Sequence, residues 1–128
     1  MRLLLDTRAL LWFLAGDNAL STPARSAIES PANEKFVSHA SAWEVAIKLS
    51  LGKLKLDVPY EEVFPTAVLA NGFSVVTPRF DHYRALVGLP WHHRDPFDRL
   101  LVAVARLDSL TIVSKDPHLS AYGVKLLW

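Results

Sequence analysis

The sequence predicts an α/β fold, a three-layer α/β/α sandwich around a small parallel sheet, and two observations carry this expectation. Short apolar runs, such as residues 3–5 and 36–38, alternate along the chain with longer segments of helical composition. Strands that are each followed by a helix pair in parallel through right-handed crossovers. The chain has 128 residues, 51% of them apolar and only 21% charged, enough apolar content for a packed core within one domain over residues 1–128. No internal repeat, low-complexity tract or Ser/Gly linker divides it.

Residues 3–5 form the first strand, ended by Asp6, and residues 7–15 the first helix, stopped at Gly16. Ser21 supplies an N-cap and Pro23 an early-turn proline for a helix running to Ser30, before Pro31. Residues 36–38 make the second strand. Trp43, Ile47 and Leu51 then recur every four residues, one face of a helix that Gly52 can close. The stretch GKLKLDVP connects to a helix over residues 60–71, with Val63, Ala67 and Ala70 on one side and Pro65 kinking it or moving its start. Residues 73–77 suit a buried parallel strand, and a helix over residues 81–87 follows, ended by Gly88 and Pro90. A loop through Trp91, His92 and His93 leads to a strongly apolar, centrally buried helix from Pro96 to Leu107. Residues 110–113 form a further strand, 117–122 a short helical turn, and 124–127 finish the chain.

Fourteen Lys and Arg against 13 Asp and Glu leave a net charge of +1, so total charge advertises neither nucleic acid nor membrane and any such role must come from local placement. The absence of cysteine excludes a disulfide framework, a thiolate zinc site and a cysteine nucleophile, and fits a cytoplasmic setting. The opening MRLLLDTRALLWFLAGD is apolar, but Asp6 and Arg8 interrupt it and no small-residue cleavage site ends it, so it reads as folded structure. No run approaches the roughly 18 apolar residues of a membrane span, and no membrane role is expected. A mean hydropathy of +0.19 leaves apolar residues for interfaces, which predicts self-association.

The acidic residues are distributed informatively. Asp6 directly follows the first strand and Asp116 lies within three residues of the end of the strand over 110–113, so both belong on the rim where open parallel sheets bind ligands. Glu44 lies in the first turns of the helix after the second strand, and Asp98 in the first turn of the helix after the Trp91 loop. Four carboxylates sharing one cavity repel one another unless a cation or raised pKa values relieve them. Oxygen donors without sulfur select hard ions, Mg²⁺ or Mn²⁺. Each acid also has a plain structural reading. Asp95 before Pro96 and Asp116 before Pro117 fit helix caps, Asp6 fits one too, Asp98 complements a helix dipole, and Glu44 stands four residues before Lys48 as a surface pair. Their common location favours the site, with Asp95 left as the cap and Asp98 assigned to the cavity.

Other chemistries lack their signatures. The adjacent His92 and His93 rarely present both rings to one metal and read as loop histidines. No phosphate-cradling glycine motif follows the first strand, and Ser38 and Ser41 have neither an evident base nor a G-x-S-x-G elbow. Trp12, Trp43, Trp91 and Trp128 read as core or interface residues rather than base-stacking platforms.

The stretches LLLDTRALLWFL, SAWEVAIKLSLGKLKL, LPWHHRDPFDRLLVAVA and IVSKD resemble PIN-domain toxins of the VapC type over nearly the whole chain. The resemblance implies a PIN-like fold and a Mg²⁺- or Mn²⁺-dependent ribonuclease whose acids are Asp6, Glu44, Asp98 and Asp116. It also implies the toxin half of a type II toxin–antitoxin pair, a homodimer neutralised by a cognate antitoxin. Arg8 stands where members with this opening often carry His.

The expected chemistry is hydrolysis of RNA phosphodiester bonds, with Asp6 and Asp98 as the first metal holders and Glu44 and Asp116 completing the set. Because an acidic pocket repels phosphate, rim cations should guide the RNA, and Arg8, Lys48, Arg94, Arg99 and Lys115 lie close in sequence to the acids. The alternative is a catalytically silent PIN-like binding or scaffold module. A phospho-acceptor receiver domain would carry an acidic pair after the first strand, whereas Asp6 is followed by Thr7.

Overall fold

A single all-parallel sheet runs through the computed structural model, which describes residues 1–128. Its strands are β1 (Arg2–Leu5), β2 (Glu34–Ser38), β3 (Ser74–Val76), β4 (Thr111–Val113) and β5 (Leu126–Leu127), in the order β3-β2-β1-β4-β5. β1 is central, with Leu4 opposite Phe36 of β2 and Ile112 of β4. Successive side chains of a strand point to opposite faces, so the run Leu3-Leu4-Leu5 serves two cores. Leu3 and Leu5 pack with Ala9 and Leu10 of α1 (Thr7–Ala15) and with Ala24 and Ile28 of α2 (Thr22–Glu29). Leu4 packs on the other side with Leu101 and Val104 of α6 (Pro96–Asp108). That division makes the three layers expected from the sequence. Each fully buried leucine contributes about 1.5–3 kcal/mol.

The helices begin and end where capping chemistry directs. Ser21 Oγ accepts the Ala24 N–H at 3.2 Å and opens α2. Gly16 closes α1 in the left-handed region, at φ 65°, where a side chain would be strained. The segment around Pro65 divides into a helical turn over Glu62–Ala67 and α4 (Val68–Ala70), with extended backbone at Phe64 just before the proline. The break follows from the missing proline N–H and the bias of its predecessor toward extended conformation.

One expectation, a buried strand over residues 73–77, is corrected, and the apolar stripe of the third helix and the four tryptophans are located. The Trp43, Ile47 and Leu51 stripe of α3 (His39–Ser50, with Leu51 as its C-cap) does not pack inward: Trp43 is 64% exposed, Leu51 is exposed, and the buried positions are Ser41, Glu44 and Val45. Periodicity locates an apolar stripe without saying what it touches. β3 is an edge strand with Ser74 and Val75 exposed, because only β2 pairs with it. Trp12 and Trp128 are half-buried against the core of Leu3, Leu5, Ala9 and Leu10 and pack on each other at a centroid distance of 5.9 Å, whereas the exposed Trp43 lies against Phe97 and the exposed Trp91 projects from its loop. The remaining helix, α5 (Phe80–Val87), is tied to α6 by His82 and Asp108. No helix is long and apolar enough to cross a membrane.

The chain reverses its direction of travel across the sheet between β1 and β4. Such a reversal opens a crevice at the carboxyl ends of the strands, and Asp6 after β1 and Asp116 after β4 stand on its two sides.

Candidate active site

Asp6, Glu44, Asp98 and Asp116 line one cavity of about 670 Å³. Asp6 reaches it by capping α1, where its Oδ1 accepts the Ala9 N–H at 2.7 Å. The capping reading and the site reading therefore hold together for this residue. Burial raises the Asp6 pKa above the ordinary carboxylate value against the pull of a Ser114 hydrogen bond.

Glu44 enters from α3, whose polar stripe faces the cavity. It is buried, and it accepts the Thr7 hydroxyl at Oε1 (2.6 Å) and the Lys48 ammonium at Oε2 (2.5 Å). The pair with Lys48, four residues on, thus exists, but as one arm of a fixed carboxylate rather than as a surface ornament. Thr7 also touches the Ser41 hydroxyl at 3.1 Å.

Asp95 caps α6 by accepting the Phe97 and Asp98 N–H groups at 2.8 and 3.2 Å. One turn of helix then aims Asp98 into the cavity. Its carboxyl is pushed up to about 7, chiefly by burial and further by the neighbouring carboxylates of Asp95, Asp6 and Glu44, while His93 opposes the shift.

Asp116 is held the other way. Burial works to raise its pKa, but hydrogen bonds from the His118 N–H and from the His93 and His118 rings hold it below the usual range. His93 Nε2 lies 2.7 Å from Asp116 Oδ2 and 3.1 Å from Asp98 Oδ2, and the ligating atoms of these three residues lie within 4.8 Å of one another.

The Asp95 N–H donates to His93 Nδ1 at 3.1 Å, so Nδ1 is the unprotonated nitrogen and Nε2–H faces the carboxylates. In this arrangement His93 is a donor to acids, not a ligand. The remaining donor set is all oxygen, its carboxylates crowd one another, and no thiolate is near. Those features fit a hard divalent cation.

The expected rim cations divide. Arg8, Lys48 and Lys115 line the cavity. Arg94 is exposed on the loop and does not line it. Arg99 is a correction: only 4% exposed, it donates to the carbonyls of Pro90 (2.7 Å) and Leu89 (3.1 Å) and to the Tyr122 hydroxyl (3.3 Å). At 100° per residue around a helix, the position after Asp98 turns away from the cavity.

Sequence reasoning missed Thr7, His93, His118 and Lys53 as cavity residues. His93 carried a signal in standing two residues before the capping Asp95, and the other three carried none.

The family model described as PIN domain matches residues 3–125. No curated protein matches the chain. Among solved structures, the chain is similar to VapBC2 from Rickettsia felis bound to a DNA fragment from its promoter, with a TM-score of 0.69, 13% identity, and 98% of this chain and 97% of that chain covered. VapBC-1 from nontypeable Haemophilus influenzae gives 0.65 and 14%, covering 98% and 96%. A toxin–antitoxin complex from Klebsiella pneumoniae gives 0.58 and 21%, covering 88% and 85%.

Proposed function

Because the chain belongs to the PIN domain family, we propose that it is a Mg²⁺- or Mn²⁺-dependent ribonuclease of the VapC type, the cytoplasmic toxin of a toxin–antitoxin pair. The observation that carries this reading is the meeting of Asp6, Glu44, Asp98 and Asp116 in one cavity from four separate stretches of sequence. Asp6 and Asp98 hold the cation, and Glu44 and Asp116 complete its surroundings directly or through water. When bound, the cation supplies Lewis-acid chemistry: it lowers the pKa of a water and stabilises charge on the phosphate oxygens.

The protein's own groups do the rest. Thr7 and Lys48 hold Glu44 in one orientation. His93 draws the Asp98 and Asp116 carboxylates toward a common point. Arg8, Lys53 and Lys115 offset the negative cavity so that an RNA phosphate can enter.

The solved neighbours are toxin–antitoxin complexes, which supports a cognate antitoxin as partner. The outward Trp43 and Leu51 of α3, with Phe97 against Trp43, support a protein interface that includes a homodimer. The deciding experiment is RNA cleavage with Mg²⁺, Mn²⁺ or EDTA, comparing the parent with Asp6→Asn and Asp98→Asn. Cleavage should require the metal and fall at least a hundredfold in either variant. Metal-independent cleavage, or full activity in both variants, overturns the reading, and RNA binding without cleavage would favour a catalytically silent PIN-like module.

A further inference from the structure

Trp91 is 76% exposed, yet it is not loosely held. The Arg99 guanidinium lies under one face of its ring, 3.6 Å from the ring centroid. That guanidinium is buried and fixed by two backbone carbonyls and the Tyr122 hydroxyl. A rigid cation thus supports one side of the indole and leaves the rest of the ring in water. An arginine stacked on an aromatic ring is a stable pair, and it pins the side chain without covering it.

The position matters as much as the support. Neither Trp91 nor Arg94 lines the acidic cavity, but Trp91 is two residues from His93, which does, so the Cα atoms of Trp91 and His93 are no more than about 7.6 Å apart and the loop lies outside the cavity on its flank. The next residue after His93 is the exposed Arg94. The loop therefore presents, in the order Trp91, His93, Arg94, an aromatic face, a group inside the site and a free cation. Single-stranded nucleic acid is gripped by this combination, with bases stacked on aromatic rings and phosphates met by cations.

Resting on the ribonuclease reading above, we propose that Trp91 is the stacking platform for a nucleobase of single-stranded RNA next to the phosphate held in the cavity, with Arg94 meeting a backbone phosphate beside it. Arg99 acts as a positioning residue for the ring.

The test measures binding of a fluorescent single-stranded RNA oligonucleotide in EDTA at low salt, by anisotropy, for the full chain and for Trp91→Phe, Trp91→Leu and Trp91→Ala. Loss of one stacked base weakens affinity about 5- to 100-fold. Trp91→Phe should stay within about threefold of the parent, and Trp91→Leu and Trp91→Ala should both show the loss. Mn²⁺ binding should stay at the parent value in all three, and each should still melt in one cooperative transition well above the assay temperature, which separates a lost contact from a disturbed fold. Equal RNA affinity across the set, or Leu performing as well as Phe, overturns the stacking site while leaving cleavage by the parent, and so the ribonuclease reading, intact. A parent that neither binds nor cleaves RNA overturns both.

Discussion

His93 Nε2 stands 2.7 Å from Asp116 Oδ2, while its Nδ1 accepts the Asp95 backbone N–H. The cap of α6 therefore sets the tautomer of a ring that bridges two carboxylates of the cavity. If His93 orients ligands without being one, its removal lowers cation affinity by about 10- to 100-fold, the usual effect of losing an outer-shell partner. His93→Ala should show this in Mn²⁺ calorimetry without RNA, and His93→Gln, which can present an N–H in a similar place, should recover most of it. Pulsed electron paramagnetic resonance of the Mn²⁺-loaded parent should show no directly coordinated nitrogen. A strong nitrogen coupling would make His93 a ligand instead.

Asp98 makes a second expectation about pH. Its folded pKa of about 7 lies above the unfolded aspartate value of roughly 3.9. Between those values the folded protein binds more protons than the unfolded chain, so without divalent cation Asp98 lowers stability as pH rises from about 4 to about 7. A cation that needs the deprotonated form reverses this trend and releases a proton on binding. Melting temperature measured from pH 5 to 8, with and without Mg²⁺, should show a stabilisation that grows with pH. Asp98→Asn should flatten the metal-free dependence. A Mg²⁺ effect independent of pH would contradict this account.

What the chain discloses before folding depends on the kind of interaction. β1 and Asp6 were legible because an apolar run ending in a capping acid has few other meanings. The pairing of Asp6 with Asp116 was legible because parallel sheets gather ligands at one end. The direction of α3 was not: Trp43 and Leu51 make an apolar stripe as a core helix does, but Glu44 faces inward because a polar cavity lies there, and Ser41 because it meets the Thr7 hydroxyl. His93 offered only its place two residues before the capping Asp95, since a histidine in a loop has no period to read and its role rests on the backbone of Asp95.

Away from the cavity, Asp108 links α5 and α6. The His82 ring is fully buried. It accepts the Arg79 N–H at Nδ1 (2.9 Å), and its Nε2 donates to Asp108 Oδ2 (3.1 Å). Burial tends to raise the Asp108 pKa, but Arg79 and His82 hold it below the ordinary value. A depressed folded pKa contributes stability that is present above about pH 4 and is lost as pH falls through the folded value. Asp108→Ala leaves the buried His82 N–H without a partner, a loss of about 1–3 kcal/mol. Urea denaturation at pH 7 should read that deficit, and it should shrink as pH falls through the folded pKa, where the parent carboxylate is protonated too. An unchanged deficit in acid would mean that packing, not charge, is what Asp108 supplies.

The last expectation separates two kinds of basic residue that lie equally near the acids in sequence. Arg8 and Lys115 line the cavity, whereas Arg99 is buried against carbonyls and under Trp91. A cation that meets a phosphate of single-stranded RNA releases counterions, and its loss flattens the slope of log affinity against log salt by about 0.7. Arg8→Gln and Lys115→Gln should each flatten the slope by about that amount at an unchanged melting temperature. Arg99→Gln should leave the slope alone and lower the melting temperature, because it strips donors from buried carbonyls at about 1–3 kcal/mol. Arg99→Lys should not restore stability, since an ammonium cannot reproduce the planar fork that spans both carbonyls and underlies the indole. A flattened slope in Arg99→Gln with normal melting would return Arg99 to the RNA-facing surface and remove its role beneath Trp91.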